Sequence, residues 1–162
     1  VTTVRALRSG DRAGWQRLYA DYGEFYDTPL TDEKAERVWN GLLDASYESF
    51  GLVAVDDADR PIGLAHYREF ARPLAGGRGL YLDDLFTSPE ARRSGAASAL
   101  LDALKGIALE RGLGVVRWIT AADNVAAQRV YDRVATKTPW VTYDLDPAAG
   151  PATTATIQDG AR

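Results

Sequence analysis

The 162-residue chain has no cysteine, no methionine and a single histidine, His66. Without cysteine there is no disulfide, no thiolate nucleophile and no cysteine-ligated zinc or iron–sulfur centre. With one histidine there is no multi-histidine metal site, and no metal is expected. No apolar run approaches the roughly 20 residues of a membrane span, so neither a transmembrane helix nor a membrane partner is expected. No basic stretch leads into an apolar one, so the expectation is a chain without a secretory leader. A cytoplasmic location fits the lack of cysteine. Positive charge is not in excess either. Nineteen Lys and Arg against 23 Asp and Glu leave a formal net charge of −4. That gives no electrostatic case for a nucleic-acid partner and mildly favours a cationic substrate. What is present is ordinary globular material, 46% apolar and 26% charged, which excludes a wholly disordered chain. A chain of this length forms one domain and buries about two-thirds of its unfolded surface.

Hydrophobic periodicity orders the elements. Thr2 to Leu7 alternates like a short strand. Ser9-Gly10-Asp11 offers capping chemistry, and Trp15, Leu18, Tyr19, Tyr22 and Tyr26 then recur at helical spacing until Thr28-Pro29. Thr31 or Asp32 caps a second helix with Ala35, Val38, Trp39, Leu42 and Leu43 on one face. Leu52–Val55 and Ile62–Phe70 read as a hairpin around Asp56–Asp59, Arg72–Gly79 as a loop and Leu80–Thr87 as a strand. A helix is predicted from Ser88-Pro89-Glu90 to Arg111, ended by Gly112. Val115–Thr120 is a strand. Asp123-Asn124 caps a helix with Val125, Ala126, Val130, Tyr131 and Val134 as its buried side, and Trp140–Leu145 is a last strand. The fold class is α/β, with helices on both faces of a mixed sheet. The domain spans residues 1–145. Residues 146–162, rich in Pro, Ala, Thr and Gly, read as a disordered tail.

The chemistry concentrates between Tyr81 and Ser98. A strand runs into a small-residue turn, and the turn opens a long helix. The first turn of a helix presents unpaired N–H groups and the positive end of its dipole, an anion site. Gly95, Ala96, Ala97 and Ser98 let an anion approach the backbone, and Arg92 and Arg93 add fixed positive charge. On physics alone this is a phosphate-binding turn or a plain loop with two solvated arginines.

Arg92-x-x-Gly95-x-Ala97 resembles the pyrophosphate loop of the GNAT superfamily of acetyl-CoA-dependent N-acetyltransferases. Tyr81-Leu82-Asp83-Asp84-Leu85-Phe86-Thr87 looks like that family's central strand, and Asn124-x-x-Ala127-x-x-x-Tyr131 like its second CoA-binding motif, in the family's order and spacing. The resemblance covers about residues 2 to 145. It implies a GNAT-like, mostly antiparallel central sheet flanked by helices, and acetyl-CoA as cosubstrate. Leu85, Phe86 and Thr87 would pair with pantetheine. The turn from Arg92 and Arg93 through Ser94, Gly95, Ala96, Ala97 and Ser98 would hold the pyrophosphate, and Asn124 would bind near the cosubstrate. The strands Leu80–Thr87 and Val115–Thr120 would splay apart to admit pantetheine. An amine would then attack the thioester directly, with no covalent enzyme intermediate. Tyr131 matches the tyrosine that faces the thioester sulfur and acts as acid. Asp83 and Asp84 stand where the polyamine-acetylating branch carries an acidic pair. Asp83 is taken as the base, acting through water, against the alternative that the pair merely caps or binds an arginine. Strict alternation would point the two to opposite faces unless a bulge, frequent in the family, intervenes. The sequence departs from the pattern in Ala97 for Gly, Ala96 for Val or Ile, and Val134-Ala135-Thr136 for Leu-Gly-Phe.

Aromatics interleaved with carboxylates from Asp21 to Pro29 suit a cationic amine, or else are core rings and a solvated face. A polyamine, a small amine, an amino acid and a protein lysine all remain open as the primary-amine acceptor. Arg68, Arg72 and Arg78 would suit an acidic group on it. His66 either lines the acceptor cleft or is a satisfied half-buried residue. Trp140 and Tyr143 are core or a contact of the homodimer that the resemblance implies. The rival readings are an acyltransferase using a longer acyl-CoA and a catalytically idle acyl-CoA-binding module. A nucleotide-binding loop is disfavoured, because no Walker lysine follows Gly95.

Overall fold

The computed structural model describes residues 2–148 and 150. The chain divides into two compact units, Val1–Val125 and Ala126–Arg162.

In the first unit, β1 (Thr3–Ala6), β2 (Ser49–Val55), β3 (Pro61–Arg72), β4 (Gly77–Thr87) and β5 (Val116–Arg117) form one sheet in chain order. The first four strands pair antiparallel, and β5 lies parallel to β4. The mixed, mostly antiparallel sheet is the one expected. Its β2–β3 hairpin turns where Asp56 Oδ1 accepts from the Ala58 and Arg60 N–H groups. The loop expected over 72–79 is shorter in the structure, because β4 already starts at Gly77.

Two helices, α1 (Arg12–Phe25) and α2 (Asp32–Leu43), cover one face. Trp15 and Leu18 of α1 and Ala35, Trp39 and Leu42 of α2 close over Leu64 and Phe86 of the sheet. Thr31 caps α2 by accepting from the Lys34 N–H, and Asp32 and Glu33 complement the dipole of its first turn. Helix α3 (Ala96–Glu110) covers the other face, burying Leu100 and Leu104 completely. Each such leucine contributes about 2 kcal/mol of burial. The two faces are separated at neighbouring residues. Leu64 belongs to the α1–α2 core, whereas a Cβ on Gly63 would lie 3.4 Å from Leu100 of α3.

Further expectations are corrected. The helix predicted from Ser88 is a 3-10 turn at Pro89–Ala91, then a turn, and only then α3. Arg93 (φ 66°) and Gly95 (φ 86°) take left-handed backbone, which no continuous helix tolerates. The strand over 115–120 pairs only at Val116 and Arg117. In the second unit, Trp140–Leu145 forms no strand; it is irregular, with Trp140, Val141, Tyr143 and Leu145 each at least 73% exposed. A strand is stabilised by a neighbour's ladder, and alternation alone supplies none.

Helix α4 (Val125–Tyr131) begins where Asp123-Asn124 predicted. None of its residues is buried, and Val125 and Val134 are half exposed, against the burial expected of them. Of the expected 146–162 tail, residues 149 and 151–162 lie outside the described residues. Among the described residues, no helix is long and apolar enough to cross a membrane.

Candidate active site

The site is built on β4. Its register against β3 pairs His66 with Asp84 and Tyr67 with Leu82, so Asp83 is an extra residue on β4. This is a β-bulge, and it removes the strict alternation between the two aspartates. Asp83 accepts from Arg68 Nε at 3.1 Å, and Asp84 Oδ2 lies 2.8 Å from His66 Nδ1. His66 and Arg68 are two apart on β3 and share a face, so both carboxylates stand on the α1–α2 side of the sheet.

Asp84 meets a chain of hydrogen bonds running into the core. His66 is 2% exposed, and the indole Nε1–H of the fully buried Trp15 donates to His66 Nε2 at 2.8 Å. Trp15 is held by the rings of Trp39 and Tyr19, at centroid distances of 5.0 and 5.3 Å, and Tyr19 meets His66 edge-on at 4.8 Å. Burial raises the Tyr19 and Tyr22 phenols above the ordinary range, and the Asp84 carboxylate, which acts on both hydroxyls by its charge and as a hydrogen-bond acceptor, raises them further. Both therefore stay protonated donors beside a carboxylate. Tyr22 meets the core ring of Phe86 (5.9 Å) and continues outward to Tyr26 (5.0 Å, edge-on), and Tyr26 to the exposed Phe25.

Asp83 is the less enclosed of the pair. Burial pushes its carboxyl above the usual aspartate range, the Arg68 guanidinium opposes the shift, and the charge of Asp84 adds to it. Arg68 itself stacks over Tyr81 at 4.6 Å.

Beyond the aspartates, β4 loses its parallel neighbour. β5 pairs with Leu80 and Tyr81 alone, while β4 continues to Thr87. The ladder stops where β5 ends, and the β5-side edge of Leu85, Phe86 and Thr87 has no strand against it among the described residues. Leu85 and Phe86 are paired on their other side with Ala65 and Leu64 of β3. Ser88 then accepts from the Ala91 N–H, and Arg92, Arg93, Ser94 and Gly95 form an exposed turn into α3. Gly95 caps α3 with no side-chain hydrogen bond, and the first intrahelical bond runs from Ala99 N to Gly95 O. The N–H groups of Ala96, Ala97 and Ser98 are therefore left over by helix geometry. A Cβ on Gly95 would meet nothing within 4 Å, so the turn is open on that side. An open strand edge followed by a left-handed turn and free helix N–H groups fits an extended amide chain ending in a pyrophosphate.

The first unit thus brings Asp83, Asp84, Leu85, Phe86, Thr87 and the turn from Arg92 to Ser98 onto one continuous path. Asn124 lies near the end of that unit. Tyr131, the half-buried last residue of α4, belongs to the second unit. No local motif marks Trp15 and His66 as site residues. The available signal was a buried indole, whose N–H needs an acceptor, on the helix facing the chain's one histidine.

The sequence profile of the acetyltransferase (GNAT) family matches residues 15–135. A D-amino-acid N-acetyltransferase of Saccharomyces cerevisiae is 30% identical over 141 residues, 86% of this chain and 88% of its own. A solved structure of a probable acetyltransferase superposes with a TM-score of 0.80 at 25% identity, covering 91% of this chain and 99% of its own. An aminoglycoside N-acetyltransferase in complex with CoA shares the fold, with a TM-score of 0.76 at 17% identity over 91% of this chain and 95% of its own.

Proposed function

The chain belongs to the GNAT family of acetyltransferases, and from that premise we propose that it moves acetyl from acetyl-CoA to the primary amine of a small cationic or zwitterionic acceptor. The observation that carries this reading is the bulged pair Asp83–Asp84, turned to one face of a strand whose edge is open just beyond it.

In this reading pantetheine adds to the free edge at Leu85, Phe86 and Thr87, the pyrophosphate sits on the Arg92–Ser98 turn, and Asn124 binds near the cosubstrate. The amine nitrogen attacks the thioester carbonyl, the C–N bond forms and the C–S bond breaks. Asp83 takes the amine proton through water, and its raised carboxyl suits it to that task better than an ordinary aspartate would. Tyr131 returns a proton to the leaving thiolate. Asp84 seats the ammonium form of the acceptor beside the Tyr19 and Tyr22 hydroxyls. The working domain is residues 1–145, in the cytoplasm and as a homodimer. The exposed run of Trp140, Val141, Tyr143 and Leu145 supports self-association.

Among acceptors, amino acids come first. Arg68 presents a half-exposed guanidinium next to the carboxylate pair, suited to an acceptor carboxylate. The yeast relative is described as acting on D-amino acids.

Calorimetric titration with acetyl-CoA, followed by CoA-release assays with amino acids, polyamines and amino sugars, tests the proposal. Micromolar binding and amine-dependent CoA release are expected. Binding without release under any amine would mean an idle acyl-CoA module, and faster turnover of a longer acyl-CoA would mean a different acyl donor.

A further inference from the structure

Trp15, His66 and Asp84 form a chain whose direction is fixed by chemistry. An indole nitrogen donates and never accepts. His66 Nε2, 2.8 Å from Trp15 Nε1, must therefore carry a lone pair, which leaves the ring proton on Nδ1. That proton points at Asp84 Oδ2, also at 2.8 Å. The imidazole is 2% exposed, and Trp15 is fully buried among Trp39 and Tyr19. Neither ring can turn without disturbing the α1–α2 core.

We propose that His66 is a positioning residue for Asp84, locked by Trp15 into the Nδ1–H tautomer so that the carboxylate is held for the ammonium group of the acceptor. The inference rests on the acetyl-transfer reading for the identity of that ammonium. An unheld carboxylate on a half-exposed strand position rotates broadly about its last torsion. Here Oδ2 is tied to the imidazole, and Oδ1 is left for the acceptor. The chain is an anchor and not a proton wire, because it ends on an indole that takes no proton. The groups facing the imidazole are Trp15 and Tyr19 from α1 and Asp84 from β4, with the Asp83 charge acting from further along β4.

The chain's single histidine makes the test direct. In ¹⁵N-labelled protein, the two imidazole resonances report the tautomer without assignment. A protonated Nδ1 and an unprotonated Nε2 are expected. The opposite tautomer in the wild type overturns the inference, whatever the enzyme does. Propylammonium, as a minimal probe, should shift the Nδ1 resonance in the wild type and not in Asp84→Asn. Trp15→Phe, which removes the indole donor, should yield a mixture of tautomers.

In acetyl-transfer assays, His66→Leu should raise the acceptor KM about tenfold, in line with losing a hydrogen bond to a charged group, and leave the acetyl-CoA KM unchanged. His66→Asn, which keeps an N–H near the Nδ1 position, should recover most of that loss. A merely structural role would move both KM values together and deny Asn its rescue. Transfer without any probe-induced Nδ1 shift overturns the inference. A shift with no transfer to any amine overturns the acetyl-transfer reading and leaves the Asp84 seat standing.

Discussion

At Asp83, burial and the Arg68 guanidinium act in opposite directions on one carboxyl. If Asp83 is the base, activity disappears as pH falls through its pKa, because the protonated acid accepts nothing. Arg68 lowers that pKa, so Arg68→Met should move the acidic limb of kcat/KM to higher pH. A pH–rate profile of the variant checks it, and an unmoved limb would separate Asp83 from the rate. Tyr131 makes a second prediction at this scale. Tyr131→Phe should lower kcat about 100-fold, the range of a lost general acid, with acetyl-CoA affinity near wild type by calorimetry. Unchanged turnover at saturating substrates would remove Tyr131 from the mechanism.

Between elements, the decisive segments are turns and entries, where the backbone departs from regular geometry. Gly95 holds φ at 86° at the entry to α3. Gly95→Ala should cost about 1 kcal/mol through left-handed strain alone, since its Cβ meets nothing. Gly95→Glu adds negative charge where the pyrophosphate is proposed to sit and should abolish CoA binding. Retained binding in a folded Glu variant would move the site elsewhere. The entry to α1 rests on a different device. Arg5 donates to both oxygens of the buried Asp11, at 2.8 and 2.9 Å, and the Arg8 N–H adds a third bond at 2.8 Å. The Arg5 guanidinium, and secondarily the Arg8 N–H, holds the Asp11 carboxyl below the usual aspartate range. A depressed carboxyl stabilises the fold above its unfolded pKa, and that contribution is lost as pH falls toward the folded value. Arg5→Met should therefore cost about 3 kcal/mol at pH 7, where the carboxylate loses its partner, and less at pH 3. Urea unfolding at both pH values measures the difference.

For the molecule as a whole, ligand linkage gives the broadest test. A ligand at 100 times its Kd stabilises the folded state by about 2.7 kcal/mol. For a chain of this size that corresponds to a rise of about 5–10 °C in Tm. Acetyl-CoA should produce it in a thermal melt, and Gly95→Glu should not respond. Absence of a shift in the wild type, at a concentration saturating by calorimetry, would mean that binding does not couple to the folded unit.

Helices and strands whose signals are local are legible without any tertiary contact. The 3.6-residue spacing of Trp15, Leu18 and Tyr22, the Thr31 cap, the hairpin turn at Asp56–Asp59 and the glycine turn before α3 are each set by neighbours in the chain. The order of those elements and the spacing of the motifs on them were enough to place the chain in its family. The remaining features depend on pairing between distant segments. The bulge that puts Asp83 and Asp84 on one face arises from the register of β4 against β3. The open edge of β4 at Leu85–Thr87 arises from where its ladder with β5 stops. Trp140–Leu145 alternates like a strand yet forms none among the described residues, because alternation supplies a face and not a partner. The sequence separation of 51 between Trp15 and His66 explains why their hydrogen bond was out of reach. A donor's need can be read from its residue type, but its acceptor is chosen by packing.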